Sequence, residues 1–262
     1  MNVRESVGLA LDALRANKLR SFLTLIGVII GVSSVITVMS VVQGLDRYVR
    51  EQLVSAGANV FTVDRVGVEF DFRKVVEKLR RRPLTVEDAA AVARSAVHVE
   101  AAIATRDAAA DVRRGNRRVR RVQVHGAQPG YLEVENYPVG AGRPIDATDE
   151  RERSGVCVLG SEVAEQLFGP LDPIGRDIRL GSSPLTVVGV GARRGSSFGQ
   201  SQDQYALIPL STFQRLYGRE GSVTLQVRSR GQEHFAVAQE ETRAILRQRR
   251  HVSPTQPDDF DL

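Results

Sequence analysis

The run from Ser21 to Leu45, SFLTLIGVIIGVSSVITVMSVVQGL, lies between Arg20 and Asp46 and holds no charged side chain. At 1.5 Å rise per residue, a helix of these about 25 residues crosses a hydrocarbon core of roughly 30 Å. The pattern therefore predicts a membrane-spanning helix over 21–45. Before it, Val3, Val7, Leu11 and Leu14 recur at helical spacing, with Arg4, Glu5, Asp12 and Arg15 elsewhere around the helix. Residues 1–20 thus read as an amphipathic helix lying on the cytoplasmic membrane face. After it, Asp46 to Leu53 extends the spanning helix, and Gly57 and Asn59 end it.

Further along, the periodicity shortens. Val60–Val63 reads as a strand. Asp71 to Arg82 is helical in pattern and is broken by Pro83. In TVEDAAAVARS, Thr85 is placed as an N-cap with Asp88 completing a capping box. A strand follows over Val97–Ala104. Val112, Val119, Val122 and Val124 then mark a hairpin around the turn dipeptide Gly115-Asn116. The Pro/Gly-rich stretch PVGAGRPI at 138–145 opens a region of short β-type segments, which closes near Gly221. Within it GVCVLG leads into a helix from Ser161, then DIRLG, LTVVGVG, the polar loop GSSFGQSQDQ, YALIPL and the short helix STFQRLYG. The strand VTLQVRS, the helix EHFAVAQEETRAILRQRR and the polar tail HVSPTQPDDFDL end the sequence. This order predicts an α+β architecture. One N-terminal transmembrane helix precedes an extracytoplasmic domain of two lobes: an α/β lobe split between 46–138 and 222–262, and an inserted, mainly β lobe over 139–221.

Flanking charge sets the orientation. Arg15, Lys18 and Arg20 stand before the span, whereas Asp46, Arg47, Arg50 and Glu51 balance after it. The basic side is the cytoplasmic one, which places the N-terminus inside and the bulk of the chain in the periplasm or its equivalent. A cleaved signal would have a shorter apolar core ending at small residues of the A-x-A type, and VVQGLDRYV has no such site. Inside the span, Gly27 and Gly31 form a G-x-x-x-G pair, followed by Ser33, Ser34, Thr37, Ser40 and Gly44. Small residues let another helix backbone approach closely, so Gly27, Gly31 and Ser34 are candidate helix-packing positions.

The net charge of +5 would suggest nucleic acid for a cytosolic protein. With the basic bulk outside, acidic partners or lipid head groups fit better, and no nucleic-acid partner is expected. Aromatic content of 5% without tryptophan argues against an aromatic-lined carbohydrate or base-stacking surface. The cluster Arg113, Arg114, Arg117, Arg118, Arg120 and Arg121 at the hairpin has two readings. Either Arg113, Arg114, Arg117 and Arg118 contact an anion, or the arginines are solvated and discourage edge pairing. The lack of interleaved aromatics favours the second.

The sequence carries no catalytic constellation. Gly189 to Gly195 imitates a dinucleotide fingerprint, but a Ser/Gln loop follows where a helix N-terminus is needed. His98, His125, His234 and His251 are not at metal-ligand spacing, and Cys157, the only cysteine, reads as a small core residue. No catalytic, cofactor-binding or metal residues are assigned, and neither an enzymatic activity nor a cofactor is expected.

The opening LALDALRANKLRSFLTLIGVIIGVSSVITVMSVVQG resembles the start of MacB-like ABC transporter permeases. GVCVLGSEVAEQLFGPLDPIGRDIRL, LTVVGV and ALIPLSTFQRLYG resemble that family's periplasmic core. The resemblance implies one helix, a large extracytoplasmic region with a split porter-like lobe and an inserted β lobe, then three more FtsX-like spans. It also implies a dimeric, non-catalytic permease of the plasma (inner) membrane, driven by a cytoplasmic ABC ATPase and serving efflux or export. The sequence stops at Leu262, about where such permeases approach their second span. The expectation is a truncated or split permease that pairs with a second copy or a separate C-terminal half. The alternative is a membrane-anchored extracytoplasmic sensor or binding module without an ATPase.

Overall fold

The computed structural model describes residues 18–55, 59–67, 69, 71–197 and 200–262. Up to residue 17, the amphipathic helix expected over 1–20 lies outside the described residues, as does Gly57. The chain forms two compact units, 1–54 and 55–262, taken separately below.

In the first unit, α1 (Lys18–Ser55) is one continuous helix of 38 residues, about 57 Å long at 1.5 Å per residue. Its stretch Leu25–Gly44 is apolar and long enough to cross a membrane, and none of it is buried. The helix continues past Leu45 to Ser55, as the charged turns after the span predict.

The second unit is an α+β domain. Its elements are β1 (Val60–Val63), α2 (Phe72–Lys78), α3 (Val86–Ser95), β2 (Val99–Arg114), β3 (Arg117–Ala127), α4 (Tyr131–Val134), β4 (Val139–Gly142) and α5 (Ala147–Glu152). There follow β5 (Val156–Leu159), α6 (Ser161–Phe168), β6 (Asp177–Leu180), β7 (Ser183–Gly191), β8 (Ser196–Ser197), β9 (Gln200–Ser201), β10 (Tyr205–Pro209), α7 (Leu210–Tyr217), β11 (Thr224–Ser229) and α8 (Phe235–Arg249). The main sheet runs β1-β11-β2-β3-β10-β5-β7-β4. Strand β6 pairs with both β2 and β7, which closes the ring β2-β3-β10-β5-β7-β6. Val112, Val119, Val124, Cys157, Ile178 and Val187 fill the inside of this ring, and α6 and α7 add Phe168 and Phe213.

Beside it, β1, β11 and the start of β2 carry a second core. There Val63, Leu225 and Val227 meet Val92 of α3, Leu246 of α8 and Phe260 of the tail. Strand β2 is long enough to serve both cores. The Ala-rich middle of β2, IATRDAAAD, has weak strand propensity. It is held extended by β11 up to Thr105 and by β3 from Thr105 onward, an instance of pairing overriding propensity. That is why a single 16-residue strand stands where the sequence alone suggests two shorter pieces.

Helix α3 starts as its sequence predicts. The Thr85 hydroxyl accepts from the Asp88 N–H, and the Asp88 carboxylate accepts from the Thr85 N–H at 3.0 Å. Asp88 also ties α3 to the C-terminal segment. The Arg250 guanidinium, 1% exposed, donates to Asp88 at 3.4 Å, to Asp259 at 2.7 Å and to the Pro83 carbonyl at 3.1 Å, while Arg249 donates to Asp88 at 2.7 Å. The tail is polar in composition but not loose in structure. Phe260 is buried, and Asp261 and Asp64 exchange backbone hydrogen bonds of 2.7 and 2.9 Å. The tail thus runs antiparallel to β1, and Lys78 of α2 grips Asp261 at 2.8 Å.

Candidate functional site

Two surfaces collect the residues singled out in the sequence. The first is α1. At 100° per residue, Gly27, Gly31 and Ser34 fall on one face of the helix. A methyl group placed on Gly27 or Gly31 would meet nothing within 4 Å. Around these glycines Val28, Ile29, Ile30 and Val35 are exposed. The hydroxyls differ in what they offer. Thr37 donates to the Ser33 carbonyl at 2.8 Å, so its proton is satisfied within its own helix.

The second surface is the β2–β3 hairpin, whose arginines are divided by the pleat. Successive side chains on a strand face opposite ways. Val112 pairs with Val119 and both are buried, so Arg114 and Arg117, two residues along each strand, share their inward face. Arg114 lies over the Phe168 ring at 4.4 Å, and Arg117 reaches the Leu167 carbonyl at 3.4 Å. They close the end of the ring over α6. Arg113 and Arg118 pair directly with each other on the outer face and are exposed. Asp111 accepts from Arg118 Nε at 3.0 Å and from the Arg121 N–H at 3.1 Å. These donors hold the Asp111 carboxyl below the usual aspartate value, with the Arg118 hydrogen bond the largest cause.

The sequence gives no hint of two further groupings. Tyr131, Tyr137, Tyr205 and His125 come together, with Tyr131–Tyr137 and Tyr137–Tyr205 ring centroids 6.3 and 5.7 Å apart. Tyr131 and Tyr205 are buried, so the rings form a small core rather than an open ligand wall. Arg194 stacks on Tyr137 at 4.2 Å. His98 and His234, far apart in sequence, stand 4.9 Å apart ring to ring, and His98 Nδ1 is 2.7 Å from Glu241. Glu241 of α8, which also accepts from the His98 N–H at 2.9 Å, brings the two together.

Among the described residues no group of His, Cys, Asp or Glu could hold a metal ion. The loop after Gly191 forms the β8–β9 hairpin, not the helix that a dinucleotide site needs. Gly191 is required for another reason: a Cβ there would stand 2.1 Å from the Tyr205 hydroxyl. Cys157 is fully buried, and burial raises its thiol far above the usual range. It is therefore expected to resist thiol reagents in the folded protein and to react on unfolding. Stoichiometric labelling under native conditions would contradict that placement.

The family profile described as "MacB-like periplasmic core domain" matches residues 21–245. The chain is 36% identical over 219 residues to the macrolide export ATP-binding/permease protein MacB of Rhodospirillum rubrum, covering 82% of this chain and 32% of that protein. It is 33% identical over 209 residues to the protein of the same name from Azoarcus sp., covering 79% of this chain and 31% of that one. The chain thus spans about a third of the length of these curated relatives. Among solved structures, the periplasmic region of MacB from Actinobacillus actinomycetemcomitans superposes with a TM-score of 0.66 at 18% identity, over 80% of this chain and 91% of that one. The extracellular domain of the noncanonic ABC-type transporter YknZ from Gram-positive bacteria gives 0.60 at 17% identity, over 77% and 98%. Both share the fold.

Proposed function

This chain belongs to the MacB-like periplasmic core domain family, and we propose from that membership that it is a non-catalytic permease subunit or fragment of an ABC exporter. In this reading α1 spans the plasma membrane with its N-terminus in the cytoplasm, and residues 55–262 work outside. A cytoplasmic ATPase moves α1, and the helix passes the movement on to the domain for export or efflux. A second copy, or a separate permease half, packs on the Gly27, Gly31 and Ser34 face.

The observation that carries this reading is the unbroken helix Lys18–Ser55, exposed and apolar through Leu25–Gly44. An uninterrupted helix transmits axial movement, whereas a flexible tether absorbs it. The domain is suited to receive such movement. The lobes proposed over 46–138 with 222–262 and over 139–221 share strands β2 and β3, and residues 55–262 cluster as one compact unit. They would move as one piece.

The reading is tested by purifying the full chain in mild detergent from its own cells. An ABC ATPase is expected to co-purify in stoichiometric amount. A chain that comes through alone, again and again in several mild detergents, would favour the anchored sensor or binding module instead. Orientation has its own check. A reporter active only outside the cytoplasm, fused after Leu262, is expected to be active, and activity of a cytoplasm-only reporter at that point would reverse the topology.

A further inference from the structure

Closing the ring with β6 does something the hairpin sequence does not announce. Arg113 pairs with Arg118 of β3 on one side and with Arg179 of β6 on the other. Paired residues point to the same face, and Val112, Val119 and Leu180 of the same strands are buried, so Arg118, Arg113 and Arg179 form a row on the outer face. All three are exposed. Like charges directly opposite one another destabilise a sheet. Edge protection does not account for the row either: β2 lies between β3 and β6, and β6 lies between β2 and β7. Asp111 pairs with Arg118 and offsets part of that repulsion, but among the described residues no ion pair engages Arg113 or Arg179, so these two stand open to an outside partner.

We propose that Arg118, Arg113 and Arg179 dock an acidic helix of a partner protein. Neighbouring strands lie about 4.8 Å apart, so the row presents guanidinium groups at intervals of roughly that size. Carboxylates at i and i+4 of a helix are about 5–6 Å apart, which matches that step. Arg113 and Arg179 can each take a carboxylate through two parallel N–H donors, whereas Nε and one Nη of Arg118 already donate to Asp111. Asp111 holds Arg118 in place by its side chain. At the other end, Asp177 shares the face two residues before Arg179 and accepts from Thr186 at 2.8 Å. A single phosphate would need guanidinium groups converging on one point, whereas these stand in line across three neighbouring strands. A nucleic acid would need stacking rings, and no aromatic residue interrupts the row on its strands.

The test uses the full chain in nanodiscs of phosphatidylcholine and two labelled helical peptides of identical composition. One carries Glu at i, i+4 and i+8 on one face, and the other spreads the same residues around the helix. The patterned peptide is expected to bind at least tenfold more tightly at low salt. Arg113→Ala and Arg179→Ala should each remove that preference while leaving the thermal midpoint unchanged or higher, since each relieves a like-charge pairing. Arg120→Ala removes the same charge off the row and should keep the preference. Equal binding of the two peptides would overturn the proposal, as would a loss at Arg120 as large as at Arg113. Competition by inorganic phosphate, an oligonucleotide or phosphatidylglycerol vesicles beyond the effect of equal ionic strength would overturn it too.

Discussion

Arg250→Ala is expected to lower the unfolding free energy of the domain by about 3–5 kcal/mol, the cost of breaking a buried ion pair from one side. The guanidinium is 1% exposed and lies between Asp88, 6% exposed at its side chain, and Asp259. It also satisfies the carbonyls of Pro83 and Arg82. Removing it leaves a buried carboxylate and two carbonyls without that donor, although Arg249 still reaches Asp88. Arg250→Lys should recover little, because an ammonium cannot serve both carboxylates and both carbonyls in the geometry of a planar fork. Denaturant unfolding of the chain, followed by a probe in the domain, measures this. A change under about 1 kcal/mol for Arg250→Ala would show that the clasp does not hold the tail and α3 to α8.

Gly27→Leu combined with Gly31→Leu is expected to abolish assembly with partner spans, and with it any transport. The open space at both positions makes the result easy to interpret. Leucine is a better helix former than glycine, so α1 itself should be no less helical. Loss of assembly would therefore come from the partner's approach and not from damage within this chain. Cross-linking in native membranes distinguishes the outcomes. Wild-type yields and normal transport in the double variant would remove these residues from any packing face. Ser34→Leu, on the same face, should weaken assembly, whereas Val35→Leu, a turn position away from it, should be tolerated.

Much of this was legible in the residues, for physical reasons. The apolar run of α1 has one structural solution at its length, and the Thr85–Asp88 box depends on contacts within four residues. Gly115-Asn116 marked the hairpin because tight turns demand specific backbone freedom, and Gly115 indeed has φ of +54°. What stayed hidden depends on contacts across long sequence distances. Arg179 gave no sign of joining the hairpin arginines, because nothing local in DIRLG tells that β6 closes against β2. The split of the arginine cluster likewise follows from strand pleat and register, which place Arg114 and Arg117 over α6 and Arg113 and Arg118 outside. The tail read as polar because Phe260 is its single aromatic among acids and prolines, yet that one ring fills the second core. His98 and His234 met through Glu241 of α8.

The proposed movement of the outer domain by a cytoplasmic ATPase through α1 is open to a direct test. Glu220 is exposed and Cys157 is buried, so Glu220→Cys can be spin-labelled selectively in the assembled complex. The distance between labels on two copies is then measured by pulsed electron resonance, without nucleotide and with ATP trapped on the ATPase. A defined inter-copy distance that shifts between the two states is expected. No dipolar signal, or a distance that ignores nucleotide, would contradict it.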